Sequence, residues 1–182
     1  MPIVIGAGIT EQWYFSHLKE LHGYRIKVRP RFFGTETADG LSKKIKEVLE
    51  DGGTVICVFD ADVSTWNDAE KEKLKLLRIK YQKNKKVLLC DSMPSIEYWF
   101  LLHYEETNCH LGTSQAAIRR LRKHIPGFEK KERFLRQIKW VEEMSGGGKQ
   151  DAARERAEHF GSDCESYSKI HLALERIESN PD

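Results

Sequence analysis

The residues with most chemistry to offer are acidic and closely spaced. Asp60 and Asp62 stand two apart at the end of the apolar run TVICVF, residues 54–59. Glu11 follows another apolar run at the start of the chain, and Asp91 follows KVLLC at 86–90. In extended backbone, residues two apart point to the same side. Neighbouring strands lie roughly 4.8 Å apart, so carboxylates from adjacent strand ends can meet. Such a group repels itself unless a cation sits within it. Mg²⁺ or Mn²⁺ suits oxygen ligands and is commonly held by one or two carboxylates plus substrate phosphates. The chemistry expected is metal-assisted phosphoryl transfer or hydrolysis, with Glu11, Asp60, Asp62 and Asp91 as metal ligands. The plainer alternative makes Asp62 an ordinary turn residue.

Two further residues stand out in the apolar stretch SIEYWFLLHY. Glu97 lies among Ile96, Trp99, Phe100 and Leu101, and His103 ends the run. A carboxylate and an imidazole in such surroundings are costly unless bonded or used. Both are candidates for catalysis beside Glu11, Asp60 and Asp62, against a structural bond at a helix end. The other six histidines show no ligand-like pairing and read as surface or boundary residues.

These residues need a scaffold, and the pattern supplies one. A strand at 1–6 precedes a helix at 11–22 that Gly23 stops. YRIKVR at 24–29 alternates as a half-exposed strand. An amphipathic helix spans 37–50, with Leu41, Ile45, Val48 and Leu49 as its stripe. TVICVF is the strongest buried-strand signal. Asn67 with Glu70 resembles a capping box opening a helix to about Lys80. KVLLC is a fourth strand, and Pro94 opens the next helix. This alternation predicts an α/β fold: a mostly parallel sheet of about four strands flanked by helices. Helices are expected at 114–124, 129–143, 150–160 and 164–178. The domain reading is an α/β core over 1–104 and a helical extension over 105–182 packed on it. In parallel α/β sheets ligands collect at the carboxyl ends of strands, where all four acids fall.

Composition fits one domain of 182 residues, 40% hydrophobic and 32% charged. No stretch approaches the roughly 20 apolar residues of a spanning helix, so no membrane partner is expected. Cys57, Cys90, Cys109 and Cys164 form neither a disulfide framework nor a zinc motif. The first residues lack a signal-peptide pattern, and a cytoplasmic location is expected.

The formal charge is only +2, but it is segregated. Residues 78–86 carry +5 and residues 119–140 carry +7, leaving −10 for the rest. Basic clusters supply the phosphate contacts that dominate nucleic-acid affinity. Lys83, Lys85, Lys86, Arg119, Arg120, Arg122, Lys123, Lys130 and Lys131 are the expected nucleic-acid-binding residues, although basic helix faces are often merely solvated.

Two motifs fail on their own residues, and a third lacks its companion motifs. Gly6-Ala7-Gly8 begins like a dinucleotide fingerprint, but Glu11 stands where the third glycine belongs. Gly146-Gly147-Gly148-Lys149 lacks the preceding strand and the Ser/Thr of a phosphate loop. Asp60-Ala61-Asp62-Val63-Ser64 is similar to the nucleophile motif of haloacid-dehalogenase-like phosphatases, where Asp60 would attack phosphorus. The later Lys and paired-Asp motifs of that family are not evident.

A further resemblance covers more of the chain. Gly6-Ala7-Gly8-Ile9-Thr10-Glu11 with Tyr14-Phe15, VFDAD at 58–62, and Ser92-Met93-Pro94-Ser95-Ile96-Glu97 running to His103 resemble the three motifs of the RloB-like family. That family is named for reading frames linked to restriction–modification loci, and its fold is related to the Toprim domain. The resemblance implies a Toprim-like core, with the Toprim glutamate on Glu11 and the D-x-D on Asp60 and Asp62. It implies Mg²⁺ binding and phosphodiester chemistry on DNA or RNA, in bacterial defence against phage or mobile elements, alongside a partner effector protein. Ala7 stands where the family often has Glu, Met93 replaces Asn, and Ile96 replaces Phe. A non-catalytic nucleic-acid- or partner-binding module remains the alternative, as does a small-phosphate phosphatase.

Overall fold

The computed structural model describes residues 1–29, 37–62 and 67–179. The element order is β1 (Ile3–Gly6), α1 (Ile9–His22), β2 (Lys27–Arg29), α2 (Ala38–Glu50), β3 (Val55–Asp60), α3 (Asp68–Tyr81), β4 (Val87–Met93) and α4 (Ile96–Leu102). Then follow α5 (Ser114–Leu121), α6 (Glu132–Leu135), α7 (Lys139–Ser145), α8 (Lys149–Phe160), β5 (Tyr167–Ser168) and α9 (Ile170–Glu178). The strands form one sheet in the order β2-β1-β3-β4-β5, parallel except for β5.

Local chemistry sets the helix ends. Thr37 Oγ1 accepts the Gly40 N–H at the start of α2, and Asn67 Oδ1 accepts the Glu70 N–H at the start of α3. The Glu70 carboxylate does not fold back on Asn67; it accepts the Ala38 N–H at the head of α2, 3.2 Å away. Gly23 closes α1 with φ +66°, a left-handed conformation that costs glycine little.

Alternation along the strands builds two cores. Val4, Ile56, Val58 and Cys90 face α1, α4 and the later helices. Ile5, Cys57 and Phe59 face α2 and α3, against Leu41, Ile45, Leu74 and Leu77. The first cluster runs unbroken from Val4 to Ile177, so residues from both sides of position 104 share one interior. Cys57 and Cys90 are both buried, and neither forms a disulfide. Among the described residues no helix is long and apolar enough to cross a membrane.

Three sequence expectations change. The sheet has five strands rather than four, because the segment read as a helix at 164–178 opens with Tyr167–Ser168, which pairs antiparallel with Ser92 and Met93. Strand β4 continues through the polar residues Asp91 and Ser92, which the sequence places in a loop. The expected helix at 129–143 is two short helices. The carbonyl of Leu135 accepts from Trp140 Nε1 at 3.0 Å and lies 2.7 Å from His17 Nε2. Side chains thus take up an acceptor that a continuous helix would give to the amide four residues on. His17 is accordingly buried, not a surface residue.

Candidate functional site

The site lies where the carboxyl ends of β1, β3 and β4 meet the helices that follow them. Glu11 is in the first turn of α1 and only 2% exposed. The backbone of 6–8 passes hard against it. A Cβ on Gly6 would come within 2.9 Å of Glu11 Cβ, and one on Gly8 within 2.7 Å of Glu11 Oε2. These glycines make close approach possible, which is a different reason from the phosphate contact a dinucleotide fingerprint requires.

Asp60 ends β3. Its Oδ1 accepts the Ile96 N–H at 2.9 Å, tying the strand end to the head of α4. Glu97 follows in the first turn of α4 and is completely buried. Its Oε2 accepts from the hydroxyls of Ser95 at 2.5 Å and Ser114 at 3.3 Å. Among the described residues its Oε1 receives no hydroxyl or amide donor and is left to a cation. Lys130 comes from the loop between α5 and α6. Phe128, fully buried with its ring 6.1 Å from Phe100 and 5.9 Å from Trp140, anchors that loop. The Lys130 ammonium lies 3.1 Å from Glu97 Oε1 and 3.9 Å from Asp60 Oδ2.

The electrostatics follow from this crowding. Burial pushes the Asp60 carboxyl well above the usual range, and the charges of Glu11 and then Glu97 push it further. Lys130 and the Ile96 amide pull the other way and do not cancel the effect. Burial pulls the Lys130 ammonium down, but Glu97, Asp60 and Glu11 outweigh burial and hold its pKa above the ordinary lysine value. Three carboxylates and one ammonium therefore act as one electrostatic unit.

Other expected residues are placed differently. Asp91 does not join the group. In register it sits beside Phe59, whereas Asp60 sits beside Ser92, so alternation sends Asp91 to the α3 face of the sheet. There it meets Arg78 at 2.6 Å, Lys169 at 2.9 Å and the Tyr167 hydroxyl at 2.5 Å. It is a buried structural carboxylate, not a neighbour of the acidic group.

His103 is also elsewhere. Six residues of helix at about 1.5 Å each carry it about 9 Å along the axis from Glu97. It is buried against Trp99 with Nδ1 3.0 Å from the Trp99 carbonyl, and burial lowers its pKa to about 4. Asp62 lies two residues beyond β3 and is half-buried. Val63 and Ser64, the remainder of the phosphatase-like motif, fall outside the described residues.

The basic residues divide. Lys83, Lys85 and Lys86 are exposed but precede β4. The Lys86 carbonyl bonds the Val55 amide at the opening of β3, five residues before Asp60. At about 3.3 Å per residue that places them some 16 Å from the acidic end. They cannot wall the site. Arg120 pairs with Glu105, Lys131 with Glu129, and Arg122 Nε donates to the Phe128 carbonyl. Arg119 and Lys123 are exposed on and beside α5. Lys130 alone of the nine reaches the acids, and it does so as their counter-ion.

Sequence reasoning did not single out Ser95, Ser114 or the Lys130–Glu97 pair. The available signal was a lysine pair close behind Phe128, which spacing does not connect to a strand end.

The donor set suits Mg²⁺ or Mn²⁺, since every candidate ligand is a carboxylate oxygen. Among the described residues, no three His, Cys, Asp or Glu side chains come together as a preformed metal cage. A magnesium site completed by water and phosphate needs only one or two such ligands. A family model described as RloB-like protein matches residues 2–177, so the chain belongs to the RloB-like family. Neither the curated proteins nor the solved structures contain a match.

Proposed function

We propose that this member of the RloB-like family is a metal-dependent enzyme with a Toprim-like core that cleaves phosphodiester bonds in nucleic acid. The observation that carries this reading is the gathering of buried carboxylates at the end of β3, where Asp60 and Glu97 turn oxygens to one ammonium and Glu11 lies in the first turn of α1. Burial first, and then the charges of Glu11 and Glu97, raise the Asp60 pKa, as is common where acids are gathered for function. Glu11, Asp60 and Asp62 are the residues that would hold Mg²⁺ or Mn²⁺. When bound, such an ion polarises a phosphoryl oxygen and lowers the pKa of water.

The chain's own groups do the rest. The bond from Ile96 N–H fixes the rotamer of Asp60, and the tight 6–8 backbone fixes Glu11. In this reading Glu11 also takes or returns a proton at the reacting oxygen. Arg119 and Lys123 offer exposed positive charge to a nucleic-acid backbone. The defence role rests on the family's link to restriction–modification loci.

The test is cleavage of single- and double-stranded DNA and of RNA in Mg²⁺ or Mn²⁺, comparing wild type with Asp60→Asn and Glu11→Gln. Wild-type cleavage that EDTA abolishes, and that falls 100-fold or more in both folded variants, is the expected result. No wild-type cleavage, or cleavage untouched by either substitution, overturns the reading. Nucleic-acid binding that survives EDTA without any cleavage would instead identify a binding module.

A further inference from the structure

Building on the metal-site reading above, we infer that the Lys130 ammonium is a tethered counter-ion in the seat between Asp60 and Glu97, and that a divalent cation enters by displacing it. The oxygens make the case. Each carboxylate has one oxygen committed to the protein: Asp60 Oδ1 to the Ile96 amide, Glu97 Oε2 to the Ser95 and Ser114 hydroxyls. The other oxygen of each, Asp60 Oδ2 and Glu97 Oε1, faces the same ammonium at 3.9 and 3.1 Å. Glu97 Oε1 belongs to a side chain with no solvent exposure, and among the described residues the Lys130 ammonium is the one group that meets it, in a contact whose angles leave the oxygen incompletely satisfied.

A buried carboxylate with one oxygen short of donors is expensive unless a cation meets it. Lysine provides a charge but a loose, non-directional one on a flexible stem. Its side chain keeps about a third of its surface in solvent (34%), so it can leave the seat without unfolding its loop, which Phe128 and the Arg122–Phe128 bond anchor independently. A hard divalent ion brings twice the charge and accepts both oxygens as ligands. Glu97 thereby becomes a metal-facing residue in place of Asp91, and Lys130 sets how much cation the site requires before it fills.

The experiment is calorimetric titration of Mn²⁺ into wild type, Lys130→Gln, Lys130→Arg and Glu97→Gln. Alongside it, Lys130 in the wild type is labelled with an amine-reactive reagent, with and without Mn²⁺, and read by peptide mass spectrometry. Removing the competing charge in Lys130→Gln should tighten Mn²⁺ binding tenfold or more. Lys130→Arg should bind no better than wild type, and Glu97→Gln should bind less well. Lys130 labelling should rise several-fold when Mn²⁺ is added.

Unchanged or weaker binding by Lys130→Gln, or labelling that Mn²⁺ leaves unaltered, overturns the inference. If Lys130→Gln does not fold, the wild-type labelling decides alone. Wild-type Mn²⁺ binding with no effect of Lys130 removes this inference and leaves the metal-site reading intact; no Mn²⁺ binding by any form removes both.

Discussion

Gly8→Ala separates the positioning of Glu11 from the stability of the fold. The Gly8 backbone is extended, at φ −137° and ψ 177°, so alanine fits it without strain. The new Cβ, however, would stand 2.7 Å from Glu11 Oε2, and ordinary contact begins near 3.4 Å. The carboxylate must therefore retreat by about 0.7 Å. It is the far end of a flexible side chain, so the cost in stability stays near 1 kcal/mol or less, including the slightly poorer helix cap. For a chain of this size that is a melting shift of about 2–4 °C.

Catalysis is less forgiving, since a displacement of 1 Å at a reacting group can cost about 100-fold. Metal-dependent cleavage should fall about 10- to 100-fold. Gly6→Ala is the control. Its Cβ would lie 2.9 Å from Glu11 Cβ and 3.4 Å from the Gln12 amide nitrogen, atoms fixed to the helix backbone. It should cost about 2–3 kcal/mol, within the range of overpacking substitutions. Both are measured by thermal melting and by initial rates on one nucleic-acid substrate. Full activity in Gly8→Ala would refute the claim that the position of Glu11 matters. Equal destabilisation by the two substitutions would refute the steric argument.

Asp91→Asn should destabilise by about 2–3 kcal/mol in urea titration, below the 3–5 kcal/mol of fully buried pairs because Arg78 and Lys169 keep contact with solvent, while metal affinity stays unchanged. Burial alone would raise the pKa of Asp91, but Lys169, the Tyr167 hydroxyl and Arg78 together lower it. Its contribution is therefore present above the unfolded value of about 3.9 and is lost as pH falls through the lower folded value, so Asp91→Asn should flatten the acid limb of a stability–pH curve. Ser95→Ala should cost about 1.5–3 kcal/mol by leaving Glu97 with fewer donors, and Ser114→Ala less, at its longer 3.3 Å contact, in the same assay. Replacing Lys83, Lys85 and Lys86 together by alanine should leave cleavage rates unaltered, whereas Arg119→Ala and Lys123→Ala should each reduce the salt slope of duplex binding by about 0.9.

The strand ends were legible because β1 and β3 are apolar and buried on both faces, and such runs mark themselves in sequence. That was enough to bring Glu11 and Asp60 to one edge. Asp91 is not legible in the same way, because the apolar run ends at Cys90 while the strand continues to Met93 and alternation turns Asp91 away. A two-residue strand such as Tyr167–Ser168 has no period to detect, and its pairing with Ser92 and Met93 is purely tertiary. Lys130 was recognised only as one charge among nine. Lys130 is thirty-three residues from Glu97 in sequence, and their meeting depends on a loop anchored by Phe128.

The central claim is that a divalent cation belongs at the carboxyl end of β3. Anomalous diffraction from crystals soaked in Mn²⁺ tests it most directly. The expected result is a peak bounded by Glu11, Asp60 and Glu97, with the Lys130 ammonium moved out of its seat. A peak at Asp91, a peak elsewhere on the surface, or no peak with Lys130 still on Glu97 would contradict it.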